Sequence, residues 1–570
     1  MIPGQHAKHG DLQLHTYGVG GLPLVNRILQ RMRLEEILRE HLPEDDVRTE
    51  LPTARALVVL VRNLLMSREP MYGIADWAAL HAPDLLDLFE DQVGQLHDDR
   101  LGRCLERLFQ GSGPDMILAV IRQVIKEFHL QLDELHNDST TVSFYGLYAN
   151  SEDGVLYFGR AVPTITYGHS KARRPDLKQL LYTLTITDDG GVPIYFTSHS
   201  GNVTDDTTHI DTWNVLCQLT GRKDFLYVAD CKLASQKNLQ HIACRHGRFI
   251  TVMPRTHGDD HAFRKRLRES PGSITWRPLW QVEDGDEDQE IVSVCTEEQS
   301  SASGFRLLWY HSTRKAARDE ETRSRNVQRA IEQLQALRQR LLGPKTRYRK
   351  RGKVAEAVQA ILEEREVADW LKVNIRETVQ EQFRQARRGR PSEKTEYVRV
   401  EKLAYHLDWE LDVKGLEEAR RDDGVFPLLT NDRKLTAAEI LAAYRRQPTI
   451  EKRFSQLKTD FGVAPIYLKN PARIQGLLAV YFLVLVVQTL LERELRQALA
   501  ATDEPTLPLY PEERTCSRPS TRRVLDVMEP IQRHILELPN DERQEFVTQL
   551  TPLQKRIVTL LGLNPKTYGR

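Results

Sequence analysis

Two apolar runs closed on each other by a tight turn constrain this chain more than any other stretch. In LKQLLYTLTITDDGGVPIYFTSHSGN, residues 177–202, β-branched and aromatic residues flank Asp188-Asp189-Gly190-Gly191, a pattern that predicts a β-hairpin. Upstream, LHNDSTTVSFYG is equally rich in β-branched and aromatic residues and reads as a strand. Downstream come the helical stretch THIDTWNVLCQL, the short apolar run Phe225 to Ala229 ending at Asp230, the helix SQKNLQHIACRH and the strand RFITVMP. Strand, hairpin, helix, strand, helix, strand is an α/β layout, a sheet covered by helices.

The flanks have other rhythms. From about Leu22 to Glu127 apolar residues recur at spacings of three and four, as in VNRILQRMRLEEIL and DRLGRCLERLF, which predicts an all-α N-terminal domain over residues 1–128. The α/β core then occupies 129–255. Residues 256–432 break its pattern: strands are expected around SITWRPLWQVE, QEIVSVCTE and GFRLLWYHS, then a long polar helix from Lys315 to Leu342, a very basic segment, a further helix, and strands around EYVRVEKLAYHLDWELDV and GVFPLLTN. Helix returns over 433–500, and a Pro-containing tail, 501–570, is expected to form short helices including TRRVLDVMEPIQRHIL and DERQEFVTQL.

Composition narrows the class. With 570 residues, 80 Lys plus Arg against 80 Asp plus Glu and 40% hydrophobic residues, the chain is neither a disordered polyelectrolyte nor a bulk polycation, so any nucleic-acid contact must come from local patches. The six scattered cysteines form no Cys-x-x-Cys pair and suit reduced thiols in a cytosolic protein. The N-terminus lacks a signal-peptide pattern. The most apolar run, Gly476 to Val487, has twelve residues, short of the roughly 20 a membrane helix needs, so a buried core helix is expected and no membrane location.

Three carboxylates sit at structural landmarks. Asp138 lies in the first core strand, Asp230 directly follows FLYVA, and Glu451 lies seven residues before Lys458 on one helix face, with Tyr444 seven residues before Glu451 across Pro448. A strand-end carboxylate beside neighbouring strand ends suits metal chemistry; it can equally be an ordinary surface acid, and the Glu451–Lys458 spacing alone also suits a solvated face.

Together, NDSTT, YVADCKLAS and YRRQPTIEKRFSQLK resemble the DDE insertion-sequence transposases, specifically the insertion-sequence-four superfamily. Tyr444, Glu451 and Lys458 match its Tyr-Arg-Glu-Lys signature in register. Gln447 stands at the Arg position, with Arg446 beside it as a substitute, and Cys231-Lys232-Leu233 replaces the usual small residue and aromatic after the second acid. The hairpin ending in Gly201-Asn202 and the segment HDDRLGRCLERLF extend the likeness from about His97 to Arg496.

This resemblance implies a ribonuclease-H-like α/β catalytic core interrupted by a large, partly β insertion, with a helical front and a short helical tail. It implies two Mg²⁺ ions, replaceable by Mn²⁺, with Asp138 bridging both, Asp230 on one and Glu451 on the other. Carboxylates suit these hard cations, and two such ions stabilise both the attacking and the leaving oxygen of a phosphodiester. Tyr444, Gln447, Arg446 and Lys458 are then expected at the DNA end. The 221 residues between Asp230 and Glu451 exceed what a simple core needs and must hold the insertion.

Between Arg338 and Lys353 stand eight basic residues and no acidic one, among them Lys345, Arg347, Arg349, Lys350 and Arg351; a second cluster is Arg384, Arg387, Arg388, Arg390 and Lys394, and a third is Lys171, Arg173, Arg174 and Lys178. Such runs are commonly solvated faces; around a nuclease core they favour phosphate contacts. Trp276, Trp280 and Trp309 suit either the core or stacking on a flipped base. Gly168-His169-Ser170 lacks the closing Gly of a nucleophile elbow, Ala172 standing there. No nucleotide-binding loop is present, so no nucleotide cofactor is expected.

The expected function is a transposase that binds the terminal inverted repeats of its element, cleaves at the ends and joins them to target DNA, acting as a homodimer at the nucleoid of a prokaryotic cytoplasm. A catalytically silent DNA-binding derivative and a metal-dependent nuclease without strand transfer are the alternatives.

Overall fold

A computed structural model of the chain describes residues 13–111, 113–148, 151–171, 173–282, 290–343, 346–460, 466, 468–538 and 543–569. Two compact units emerge, one holding the residues up to Thr251 and those from Ala442 onward, the other Val252–Leu441. Both are mixtures of helix and strand.

The first unit is organised by five strands: β1 (Glu134–Phe144), β2 (Lys178–Thr187), β3 (Pro193–Ser200), β4 (Leu226–Ala229) and β5 (Arg248–Val252). Their order is β3-β2-β1-β4-β5. β1 pairs antiparallel with β2 and parallel with β4, and β4 runs parallel to β5. The expected hairpin is β2–β3. Gly190 and Gly191 turn it with φ of 79° and 63°, a backbone region costly for any residue with a Cβ. β1, β2 and β4 are buried along nearly their whole length, as strands covered on both faces are. Helices α1 (His209–Thr220) and α2 (Gln236–Ala243) connect the parallel strands.

Helix α3 (Ala437–Arg445) leads to α4 (Pro448–Ser455), which Pro448 starts in its first turn, where a missing N–H costs nothing. Then follows α5 (Pro471–Ala500), capped by the Asn470 side chain. α5 is long and apolar enough to cross a membrane by length and composition, yet 89% of its most apolar window is buried inside the fold. Two of its charged residues are buried as well: Glu492 meets Arg453 at 3.0 Å, and Arg493 meets Asp189 at 2.6 Å. It is the core helix that the apolar run predicts, extended at both ends.

Two expectations are corrected here. The N-terminal region is not all-α, because Gln13–Gly18 is a strand paired antiparallel with Gln532–Glu537. Nor is the tail wholly helical, since Gln532–Glu537 forms a hairpin with Arg543–Val547. In TRRVLDVMEPIQRHIL the helix stops at Met528; Pro530 cannot supply the N–H that would continue it. The residues beyond it satisfy their backbone groups by pairing.

In the second unit, Val425–Thr430, Arg306–Ser312, Glu290–Cys295 and Trp276–Val282 form an antiparallel sheet in that order. Trp309 is fully buried there, stacked on Phe263 at 3.8 Å. Beside it, β6 (Leu371–Gln385) and β7 (Tyr397–Leu411) form a two-stranded antiparallel ribbon. Only its base is packed, where Leu371, Tyr405 and Leu407 join Leu334, Leu337 and Val354 in a core cluster.

Candidate active site

The parallel pairing of β1 with β4 sets Asn137 opposite Ala229, so the next residue on each strand, Asp138 and Asp230, emerges at neighbouring strand positions. Asp138 accepts the Ser139 N–H at 2.7 Å, and Asp230 caps the following turn by accepting the Lys232 N–H at 3.0 Å. A third carboxylate, Asp205, stands close by on the loop after β3. Lys171 holds this group together: its Nζ lies 2.7 Å from Asp205 and 3.7 Å from Asp138, and it donates to the Ser139 hydroxyl and carbonyl. Burial, together with the charges of Asp230 and Asp205, pushes the Asp138 carboxyl up to about 6 despite Lys171. Burial and Asp205 likewise raise Asp230.

Glu451 comes to this end of the sheet on α4, and the sequence between α3 and α4 shows how that helix is held. Gln447 is buried, accepting from His136 Nδ1 at 2.8 Å and donating to the Asn137 carbonyl at 3.0 Å. The other His136 ring nitrogen faces Glu134 at 2.8 Å, so both ring nitrogens meet side-chain oxygens. Arg446 closes the chain with a forked pair of hydrogen bonds to Glu134. Burial would raise the Glu134 carboxyl, but its bonds to His136 and Arg446 prevail and hold it at about 2. Further along α4, Arg453 is buried and donates to the Gly190 and Gly191 carbonyls of the hairpin turn and to Glu492. Polar anchors therefore fix both ends of α4.

Tyr444 is pushed up to about 12 by burial first and then by Asp230, Cys231, Glu451 and Asp138, so its hydroxyl lies within the field of all three acids. Lys458, in the turn after α4, is lowered by burial and by Lys171 while Asp138 acts the other way. Glu451 itself is exposed on α4. Among the described residues no three His, Cys, Asp or Glu side chains are gathered closely enough to hold an ion unaided. Asp138 and Asp230 nevertheless fit a hard divalent cation: both are carboxylates, and burial and neighbouring negative charge have raised both, a repulsion a cation would relieve.

The sequence-predicted DNA contacts divide. Tyr444 and Lys458 face the acids. Gln447 is committed to His136 and β1, and Arg446 to Glu134. Lys171 is turned into the acid cluster. Arg173 is exposed, and Arg174 is exposed and paired with Asp176 at 2.7 Å. In the second unit Arg347, Arg349, Lys350 and Arg351 are exposed around the start of the helix Arg351–Glu364, with Arg351 3.7 Å from Glu377. Lys345, Ala172 and the Trp280 side chain lie outside the described residues. Sequence reasoning missed Asp205 and the Glu134–His136 pair. Asp205 had one available signal, two adjacent aspartates just after the Gly201-Asn202 end of the hairpin.

The family model described as Transposase DDE domain matches residues 135–487. Residues 14–122 match one described only as Domain of unknown function (DUF4277). No curated protein matches the chain. Among solved structures, a piggyBac transposase synaptic complex with hairpin DNA is similar over 89% of this chain and 78% of its own, with 9% identity and a TM-score of 0.36.

Proposed function

Because the chain belongs to the transposase DDE domain family, we propose that it cleaves phosphodiester bonds at the ends of an insertion sequence and transfers the freed 3′-hydroxyl ends into target DNA. The observation that carries this reading is the meeting of Asp138, within β1, and Asp230, just past the end of the adjacent β4, with Tyr444 in the field of both of them and of Glu451. The sheet order, with antiparallel β1–β2–β3 and parallel β1–β4–β5, supports a ribonuclease-H-like core. The Tyr444–Glu451–Lys458 spacing supports the insertion-sequence-four superfamily.

Asp138, Asp230 and Glu451 would hold divalent ions, Mg²⁺ or Mn²⁺, which when bound neutralise charge at the phosphorus and activate the attacking oxygen. The chain's own residues do the positioning. Gln447 fixes the start of α4 against β1, which limits where Glu451 can reach. Tyr444 stays protonated at neutral pH and so can donate a hydrogen bond to a phosphate oxygen. Lys458 brings a positive charge to the same place. The exposed basic residues Arg173, Arg174, Arg347, Arg349, Lys350 and Arg351 suit contacts along the DNA backbone. Two element ends must be held together for transfer, and a homodimer is the simplest assembly that does so. A place at the nucleoid of a prokaryotic cytoplasm accords with six cysteines that are all free.

The test uses purified protein and labelled DNA from either side of its coding region. With Mg²⁺ it should nick at the repeat boundary and join the ends to a second duplex. Asp138→Asn, Asp230→Asn and Glu451→Gln should each lower nicking by about 100-fold or more while leaving binding intact. Full activity in all three variants would overturn the assignment; cleavage without joining would reduce it to a hydrolytic nuclease.

A further inference from the structure

The β6–β7 ribbon ends in the segment Ala386–Glu396, which contains Arg387-Arg388-Gly389-Arg390-Pro391. Fifteen register pairs run from Leu371↔Leu411 to Gln385↔Tyr397. Beyond Ile375 and Tyr405 almost every described side chain is exposed, so the outer ten residues of β6 stand clear by about 30 Å at the usual strand rise. The charges along it are not arranged alike. Near the base and along the stem, Lys372, Arg376 and Arg399 pair with Asp412, Asp408 and Glu381. At the tip, the side chains of Arg384, Arg387, Arg388, Arg390 and Lys394 make no ion pair or hydrogen bond among the described residues. The turn itself is hydrogen-bonded: Ala386 N–H donates to the Glu396 carbonyl at 2.8 Å and Thr395 N–H to the Ser392 carbonyl at 2.9 Å. A hydrogen-bonded turn thus presents unpaired guanidinium groups on a backbone that, from Arg387 to Pro391, forms no hydrogen bond among the described residues.

We propose that this tip reads A·T-rich DNA by inserting Arg388-Gly389-Arg390 into the minor groove. The proposal rests on the reading of the chain as a DNA-acting enzyme and names the DNA that its second unit recognises. The minor groove is about 6 Å wide, which admits an extended backbone only where no side chain stands between it and the groove floor. Gly389 meets that condition. Arginine side chains on either side are drawn to the strong negative potential of a narrow A·T groove. Pro391 fixes its own φ and restricts Arg390 to extended backbone. Guanine's 2-amino group projects into the groove and blocks the same approach in G·C sequence. A tip that only neutralised phosphates would need the charges but not the glycine.

That difference sets the experiment. Binding of the full chain to short A·T-rich and G·C-rich duplexes is measured without divalent metal, together with a duplex in which inosine replaces guanine and the 2-amino group is gone. Expected is a preference for A·T of about tenfold, restored by inosine·cytosine pairs. Gly389→Ala should abolish the preference at unchanged charge. A Cβ at Gly389 meets no atom within 4 Å in the free protein, so the variant keeps its fold, which circular dichroism verifies. Arg388→Ala with Arg390→Ala should do the same and weaken binding overall. Equal affinity for A·T and G·C duplexes, or a preference that survives these substitutions, would overturn the proposal. So would loss of self-association in the variants with DNA preference unchanged, because the ribbon would then bind a second copy. Failure of nicking with the preference intact removes the transposase reading alone; nicking retained without the preference removes this one alone.

Discussion

Gln447 shows how a residue's surroundings can replace the role its position suggests. It stands where a DNA-contacting arginine is expected, yet both ends of its amide are used to tie α4 to His136 and Asn137. Gln447→Ala should therefore lower stability by about 1–2 kcal/mol and slow nicking, with little change in DNA affinity; comparing kcat with KM distinguishes this from lost binding. Arg453 is the more costly anchor. Arg453→Met removes the nearest cation from the buried Glu492, leaving it Arg496 at 3.2 Å and hydrogen bonds from Gln456 and the Thr521 N–H, and denaturant unfolding should show a loss of about 3–5 kcal/mol. Glu134 governs acid behaviour. Its carboxyl is held at about 2 against an ordinary 4.5, so its stabilisation is complete above about pH 4.5 and is lost as pH falls towards 2. Glu134→Gln should flatten that limb of the stability–pH curve, a difference of at most about 3 kcal/mol. None of these partnerships was legible in the sequence, because Gln447 and Glu134 each meet residues some 310 positions away. The three carboxylates were legible because strand patterns and helix spacing are local properties.

At the level of elements, what could be read depended on whether burial left a mark on composition. The β2–β3 hairpin advertised itself through apolar runs and a Gly-Gly turn, and α5 through its unbroken apolar stretch. β6 did not: LKVNIRETVQEQFRQ carries charges and amides because nearly all of it faces solvent, so it lacks the alternation of a half-buried strand. The tail strands were hidden by helical spacing on both sides of Pro530. The glycine turn yields a prediction here. At Gly191 a Cβ would sit 2.7 Å from Thr449 Cγ2 in a left-handed conformation, so Gly191→Ala should cost at least about 1 kcal/mol and, through α4, reduce nicking. Replacing the outer ribbon, residues 377–403, with a tight turn should leave the melting temperature nearly unchanged, since the packed cluster involves only its base.

For the whole molecule, a formal charge of zero conceals an uneven distribution. Carboxylates are concentrated at the candidate active site, and exposed cations at the ribbon tip and around Arg347–Arg351. DNA affinity should therefore fall steeply with salt in spite of overall neutrality. Replacing Arg347, Arg349 and Lys350 together with alanine should reduce the log–log salt slope by about 3, measured by anisotropy on a duplex of fixed sequence.

The division of the first unit into two chain segments has a consequence in time. A ribosome makes about 5–20 residues per second, so the 221 residues between Asp230 and Glu451 delay the third acid by roughly 10–45 seconds. For that interval the nascent chain carries β1 to β5 with His136 and the Asn137 carbonyl still lacking Gln447, and two acids without the third. On the proposed reading, the chain would become competent to cut only after the second unit has been synthesised and α4 has docked beside β1.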